Sequence, residues 1–463
     1  MRERVRGIET EYGLNLRVET GHGWRRVGSD EAARQLFAPV VEANSATNVF
    51  LRNGGRLYLD VGSHPEYATP ECRSIADLIA HDRAGDAIVN QLADVALATL
   101  TEQGTPARVT VLKNNIDSHG NSYGSHENYQ IERGLDYDEL ARALTPFLAT
   151  RQLICGAGRW VRGPRGSWFE LSQRAEHTWD PVASSTTRSR PFINTRDEPH
   201  ADPSRFRRLH VVVGDSTLSQ PTLLVRVGST ELVLRAIEEG ERFADLALSD
   251  PTAAIRGVSR DLRGRTPLPL AGGDQVAPIE LQRRIWERVE PFADDDDLRR
   301  AHALWGRVLD ALGDDRLDRV EGDIDWVAKY RMLQVYAARH GHDDTRLAQL
   351  DLAWHDIRPG QGLFRLAEER GAMNRVVEPD AVQRAVERPP GDTRARLRGR
   401  FITAAQAAHR RYTVDWMTFT VHDLPDGALV CPDPLVADDE RVDALLARMA
   451  AEPHVAAVPP SRH

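Results

Sequence analysis

The run Arg56-Leu57-Tyr58-Leu59-Asp60-Val61 constrains the fold most, because neighbouring side chains on a strand point to opposite sides and here the two sides differ in chemistry. Arg56, Tyr58 and Asp60 share one face, and Leu57, Leu59 and Val61 share the other. A half-buried strand that turns its polar face to water accounts for that pattern by itself. A second run changes the balance: Gly7-Ile8-Glu9-Thr10-Glu11-Tyr12-Gly13 puts Glu9 and Glu11 on one face and Ile8, Thr10 and Tyr12 opposite. Side by side in one sheet, the two strands gather Glu9, Glu11, Tyr58, Asp60 and, just past the strand end, Glu66. Such oxygen ligands suit Mg²⁺, a hard cation that usually arrives with substrate phosphates. Arg56 on the same face suits the neutralisation of a transferring phosphoryl group.

The 463 residues, 41% hydrophobic, suffice for a large domain and a smaller one. No apolar run is long enough to span a bilayer, and Met-Arg-Glu-Arg-Val-Arg leads straight into a strand, so a cytoplasmic protein without membrane attachment is expected. Cys72, Cys155 and Cys431 lack metal-type spacing and read as buried thiols. Sixty Lys plus Arg against 69 Asp plus Glu give a net charge of −9, which argues against a general nucleic-acid binder. Lys113 and Lys329 are the only lysines. Codon bias in a GC-rich genome is the plainer account of that imbalance; a protein that handles lysine-directed chemistry also gains by not being its own substrate.

Periodicity predicts a helix from about Ile75 to Leu100, a strand over Ala107 to Leu112, a polar loop from Lys113 to Tyr129, and a helix from Tyr137 to Ile154. Arg188 to His200 reads as an arginine-dense loop able to hold a carboxylate or phosphate, and Arg208 to Asp215 as a strand with Arg208 and His210 on one face. Helices prevail from Leu218, with the Asp294 to Asp297 run read as a helix cap rather than a metal site. A linker near Glu387 to Asp392 divides residues 1–390 from a small domain, 391–463, that contains a strand from Tyr412 to Phe419 and ends in a frayed tail beyond about Glu452.

Set in order, Gly7 to Gly13, Asn48 to Gly54, Arg56 to Thr69, Asn114 to Tyr129, Arg188 to Asp202, Arg208 to Ser216 and Thr413 to Trp416 carry a resemblance over nearly the whole chain. The sequence resembles the Pup-protein ligases (proteasome accessory factor A) of actinobacteria, in the carboxylate-amine ligase superfamily that includes glutamine synthetase. The resemblance implies an α+β fold: a glutamine synthetase-like curved antiparallel sheet cradle with packed helices, and a small C-terminal domain that contributes to the nucleotide site. It implies an enzyme that uses ATP to phosphorylate the C-terminal glutamate side chain of Pup, an acidic disordered protein. A lysine of a target protein then attacks the γ-glutamyl phosphate, tagging the target for the proteasome.

By the same resemblance, Glu9, Tyr58 and Glu66 hold Mg²⁺, Arg56, Thr69 and Trp416 bind ATP, and Asp60 is the general base. A lysine with an ordinary pKa near ~10 is mostly protonated at neutral pH, so a nearby carboxylate must take its proton before it attacks. Glu11, His126, Glu127, Arg208 and His210 are secondary candidates. The rival on the same fold is the Pup deamidase and depupylase, whose pattern carries an extra long loop between the first strand and the catalytic one. Here a short polar turn and one helix around Ala32 to Val41 are expected to fill Gly13 to Asn48, which favours the ligase. A glutamate-cysteine ligase and a catalytically dead Pup or nucleotide binder fit less well, the latter because Glu9, Tyr58, Asp60 and Glu66 are all present.

Overall fold

The computed structural model describes residues 1, 3–60, 62–117, 120–164, 166–184 and 190–452. Val61, Ser118, His119, Arg188, Ser189 and the tail beyond Glu452, all assigned above, lie outside the described residues.

The acidic run and the Tyr58 run do belong to one sheet, but they are not neighbours. The main sheet has eight strands in the order Thr178–Ala183, Arg190–Asn194, Phe206–Val211, Ser125–Glu132, Arg6–Glu11, Pro65–Ala68, Arg56–Leu59 and Asn48–Phe50. All adjacent pairs are antiparallel except the first, which is parallel. Pro65–Ala68 lies between the two predicted strands because Asp60 to His64 forms a tight turn: the Ser63 amide donates to the Asp60 carbonyl at 3.1 Å and the Asp60 amide to that of His64 at 3.0 Å. Glu66 is therefore a strand residue, in register with Glu11 on one side and Tyr58 on the other.

Beneath this sheet, Ile8, Tyr129, Ile131, Leu209 and Val211 join one hydrophobic cluster, and Tyr12, Leu57 and Tyr67 join a second. The helix Ile75–Glu102 covers that face and matches the apolar period that predicts it. Its close approach depends on Gly85, where a Cβ would stand 2.3 Å from Cδ1 of the Tyr67 ring. Ser74 caps its start, and Asp297 accepts the Ile75 and Ala76 amides at 2.8 and 3.0 Å. Asp295 caps its own helix by accepting from the Leu298 amide at 2.9 Å, so the acidic run acts as a cap for two helices.

Further readings need correction: the predicted loops Lys113 to Tyr129 and Arg188 to His200 each give a strand to the main sheet, Ser125–Glu132 and Arg190–Asn194. Gly13 to Asn48 is not a short turn and a helix: Gly13–Thr20 and Gly23–Arg26 form a hairpin before the helix Ser29–Asn44, and the first of these strands pairs with Ala107–Leu112. Tyr412 to Phe419 is not one strand. It breaks into Tyr412–Val414 and Thr418–Val421 because the Asp415 carboxylate accepts the Met417 and Thr418 amides, both at 2.7 Å, and closes a turn. Glu127 points away from the polar face. It is fully buried, accepting from Arg151 and Arg226 at 2.9 Å each and from the Tyr129 hydroxyl at 2.7 Å.

A third cluster, from Leu397 to Met449, draws its buried members wholly from the C-terminal segment. The three cysteines are free and buried. Among the described residues no helix is long and apolar enough to cross a membrane.

Burial alone pushes the Glu127 carboxyl up, but the Arg151 and Arg226 guanidiniums overcome it and hold it at about 2. A depressed carboxylate contributes stability that is present above its unfolded value of about 4.3 and is lost as pH falls through its folded one. Glu127→Gln leaves two buried guanidiniums short of a counter-charge and is expected to cost ~3–5 kcal/mol at pH 7. In urea titrations the gap to the parent should narrow below about pH 4.3. A variant within ~1 kcal/mol of the parent at neutral pH contradicts this account.

Candidate functional site

Alternation across four central strands builds an acid-rich face. Arg6–Glu11 supplies Glu9 and Glu11, Pro65–Ala68 supplies Glu66, Arg56–Leu59 supplies Arg56 and Tyr58, and Ser125–Glu132 supplies His126 and Asn128. Two clusters of potential metal-binding groups result: Glu11, Asp60 and Glu66, and Glu9 with His126 and His210. Within each, one ligand atom per residue lies within 4.8 Å of the others.

The first cluster is all carboxylate. The Glu11 carboxyl is pushed up by burial and then by Asp60, although it accepts the Gly124 amide at 2.7 Å. The Glu66 carboxyl is pushed well above the usual carboxylate range by burial, then by the charges of Glu9 and Glu11. Like charges so placed call for a cation, and an all-oxygen donor set fits Mg²⁺ better than a softer ion. The Tyr58 hydroxyl donates to Glu66 Oε1, and burial followed by the Glu9 and Glu66 charges raises its pKa, so the phenol keeps its proton.

Glu9 is held differently. Its Oε1 accepts from Asn128 Nδ2 at 3.1 Å, its Oε2 lies 3.1 Å from His126 Nδ1, and Arg208 and His210 approach to 3.7 Å. Burial raises the Glu9 carboxyl, but His126 and His210 bring it well below its ordinary value. Burial lowers His126 to about 4, so at neutral pH its uncharged ring donates through Nδ1 to an ionised Glu9. The ring and the Asn128 amide orient a carboxylate that lines the cleft.

Glu9, Arg56, Tyr58, Thr69 and Trp416 line one cleft of about 300 Å³. Arg56 spans its edge, donating from Nε to Asn48 at 2.8 Å and stacking 4.4 Å above the Tyr58 ring. Thr69 is fixed because its hydroxyl accepts the Ile8 amide at 3.0 Å. Trp416 arrives from the C-terminal segment on its Asp415 turn. Arg398 donates to the Trp416 carbonyl at 2.9 Å with its guanidinium 4.9 Å from the ring centroid, and Phe50 meets that ring edge-on at 4.9 Å. Buried Glu71 binds both Arg398 and Arg394, the latter at 2.7 Å. Burial raises the Glu71 carboxyl, but Arg398 and Arg394 bring it to about 2.

Of the sequence-derived set, Asp60 and Glu66 do not line this cleft; they stand with Glu11, and Tyr58 joins the two zones through its hydrogen bond to Glu66. Of the secondary candidates, Glu11, His126, Arg208 and His210 lie on the acid face or around Glu9, whereas Glu127 is structural. Asn128, Arg174 and His200 escaped the sequence reading. Asn128 follows from alternation with His126 on a strand that appears in the sequence as part of a polar loop. Arg174, whose Nη1 donates to the Tyr123 carbonyl and whose charge faces Glu11, lies in an irregular segment with no periodic signal.

Comparison with known proteins adds lineage to this geometry. The family model described as Pup-ligase protein matches residues 4–420. A Pup–protein ligase of Actinosynnema mirum is 50% identical, with 97% of this chain and all of the relative aligned, and one of Rhodococcus erythropolis is 49% identical at the same coverage. A crystal structure of the Pup ligase PafA in complex with Pup superimposes with a TM-score of 0.90 at 40% identity, covering 97% of this chain and 92% of the other. The structure of PafA in complex with ADP gives 0.82 at 42% identity, covering 92% and 94%.

Because its folded pKa is raised, Glu66 stabilises the metal-free fold only at low pH, and that stability is lost as pH rises from about 4.3 through the folded value. Glu66→Gln is therefore expected to raise the melting temperature of the chelator-treated protein at pH 7.5 and to shrink the rise that added Mg²⁺ produces. Thermal melts with EDTA and with excess Mg²⁺ read both effects. A variant less stable than the parent in EDTA and equally responsive to Mg²⁺ contradicts the crowding account.

Proposed function

We propose that this chain, which belongs to the Pup-ligase family, joins the C-terminal glutamate side chain of Pup to lysines of target proteins at the expense of ATP. The observation that carries this reading is one cleft in which Arg56, Thr69 and Trp416 adjoin Glu9 and Tyr58, beside the carboxylates Glu11, Asp60 and Glu66.

The γ-phosphoryl group of ATP passes to the glutamate carboxylate of Pup, giving an acyl phosphate and ADP. The lysine nitrogen attacks the γ-carbonyl carbon, the carbon–oxygen bond to phosphate breaks, and inorganic phosphate leaves. Asp60 takes the amine proton, its placement at the mouth of a strand turn leaving it beside the acid face. Arg56 offsets charge on the transferring phosphoryl group, Thr69 contacts the nucleotide from just past the end of an interior strand, and Trp416 packs its ring on the base. Glu9, Tyr58 and Glu66 would hold Mg²⁺ where the two clusters meet, Tyr58 joining them through its hydrogen bond to Glu66, and the ion would supply neutralisation of the phosphate oxygens; Tyr58 contributes as a neutral phenol. The acidic tail of Pup requires a locally basic groove in this acidic protein, and the arginines around the cleft, Arg196 and Arg208 among them, supply positive charge there. We assign residues 391–463 as the small domain that contributes Trp416, with its own core as support, and the cytoplasm as the site of action.

Intact-mass analysis of the chain with Mg-ATP, glutamate-ended Pup and a lysine-bearing protein is expected to show a Pup–target conjugate and ADP. Failure to conjugate, with deamidation of glutamine-ended Pup instead, assigns the chain to the depupylase branch. Asp60→Asn is expected to slow conjugation by about 10²- to 10⁴-fold while ATP affinity stays near that of the parent; conjugation at the parental rate sinks the base assignment. Trp416→Ala is expected to raise the KM for ATP about tenfold, the scale of one lost aromatic contact, with kcat changed far less.

A further inference from the structure

The two lysines of the chain are both in the interior, Lys113 at 1% and Lys329 at 0% exposure. Lysine is among the residue types least often fully buried, because its ammonium loses hydration unless paired. Here each is paired. Lys113 Nζ lies 2.6 Å from Asp82 and 3.1 Å from Asp86 under the sheet. Lys329 Nζ donates to the Gly158 carbonyl at 2.6 Å and lies 2.7 Å from His355 Nε2 and 2.8 Å from Asp351. Codon bias exchanges lysine for arginine most freely at exposed positions and least at buried, ion-paired ones, so it is compatible with this pattern; whatever its origin, the result is a surface without a lysine. The other 58 of the 60 basic residues are arginine, whose guanidinium keeps its charge and solubility without ever becoming a free amine. The Met1 amine is itself held 2.7 Å from Glu238 Oε2.

We infer that this chain is exempt from its own reaction because its fold presents no acceptor amine to a second copy, so the ligase tags other proteins without marking itself for degradation. The inference rests on the ligase reading and concerns the acceptor side of that chemistry. Transfer needs an unprotonated amine nitrogen at the γ-carbonyl carbon of the Pup acyl phosphate, with phosphate leaving and the proton passing to Asp60. Neither ion-paired interior lysine reaches another molecule's cleft without unfolding. Arg34, Arg339 and Arg370 are exposed, and Arg→Lys there keeps the charge while adding only an amine.

Native chain and the triple variant Arg34→Lys, Arg339→Lys, Arg370→Lys are incubated with Mg-ATP and glutamate-ended Pup, with a lysine-bearing protein as acceptor control. The expected result is a control conjugate in both, no self-conjugate of the native chain, and a mass gain of one or more Pup units in the variant, mapped to the introduced lysines. A self-conjugate anywhere on the native chain overturns the inference, and so does a variant that remains unmodified while the control is tagged. An untagged control indicts the ligase reading instead. An amine-reactive ester supplies a readout independent of catalysis: both lysines should stay unlabelled in the folded chain and react in denaturant, and labelling of either in the folded chain overturns the inference.

Discussion

Like charge held together against its own repulsion is the constraint on which the rest of this structure depends. Glu9, Glu11, Asp60 and Glu66 stay close because backbone ladders fix three of them on adjacent strands and a tight turn fixes the fourth. Fixing carboxylates this close on a rigid scaffold stores unfavourable electrostatics that a bound cation would relieve, which would tie its affinity to the integrity of the sheet. That sheet rests on two cores and on Glu127, whose two arginine partners anchor the strand bearing His126 and Asn128 from below.

The other half of the site depends on a second buried charge. Glu71 follows the strand Pro65–Ala68, which carries Glu66, and through Arg394 and Arg398 it fastens the C-terminal segment to the main sheet. Arg398 also binds the Trp416 carbonyl, so one carboxylate couples the acidic side of the cleft to its aromatic side. Removing either partner from such a pair leaves an uncompensated interior charge, so the junction is costly to break.

Much of this was legible before the structure. Period-two patterning placed Glu9, Glu11, Arg56 and Tyr58 correctly because their strands are half-buried, and Ala107–Leu112 and the Ile75 helix followed from the same logic. Glu66 falls past a strand end on the local pattern because a turn containing Gly62 and Ser63, both with positive φ, reads as loop, and nothing local announces that the chain returns as the central partner. Glu127 was ambiguous because a strand with buried ion pairs beneath it carries polar residues on both faces. Trp416 reads as part of a continuous strand because its turn is made by a side chain, Asp415, without the glycine or proline that marks most turns. Gly13–Thr20 does alternate Leu14, Leu16 and Val18 with Asn15, Arg17 and Glu19, a period-two signal sufficient to mark a strand, whereas its exposed partner Gly23–Arg26 carries no such period.

The central claim is that the acid face and the adjoining cleft activate a carboxylate as an acyl phosphate. Hydroxylamine trapping tests it most directly. The chain is given Mg-ATP and glutamate-ended Pup with no lysine acceptor, and the products are read by mass and by nucleotide chromatography. The account predicts a hydroxamate on the C-terminal glutamate side chain of Pup, with ADP formed in equal amount. Formation of AMP and pyrophosphate with the hydroxamate reveals an acyl adenylate, and that result contradicts the account.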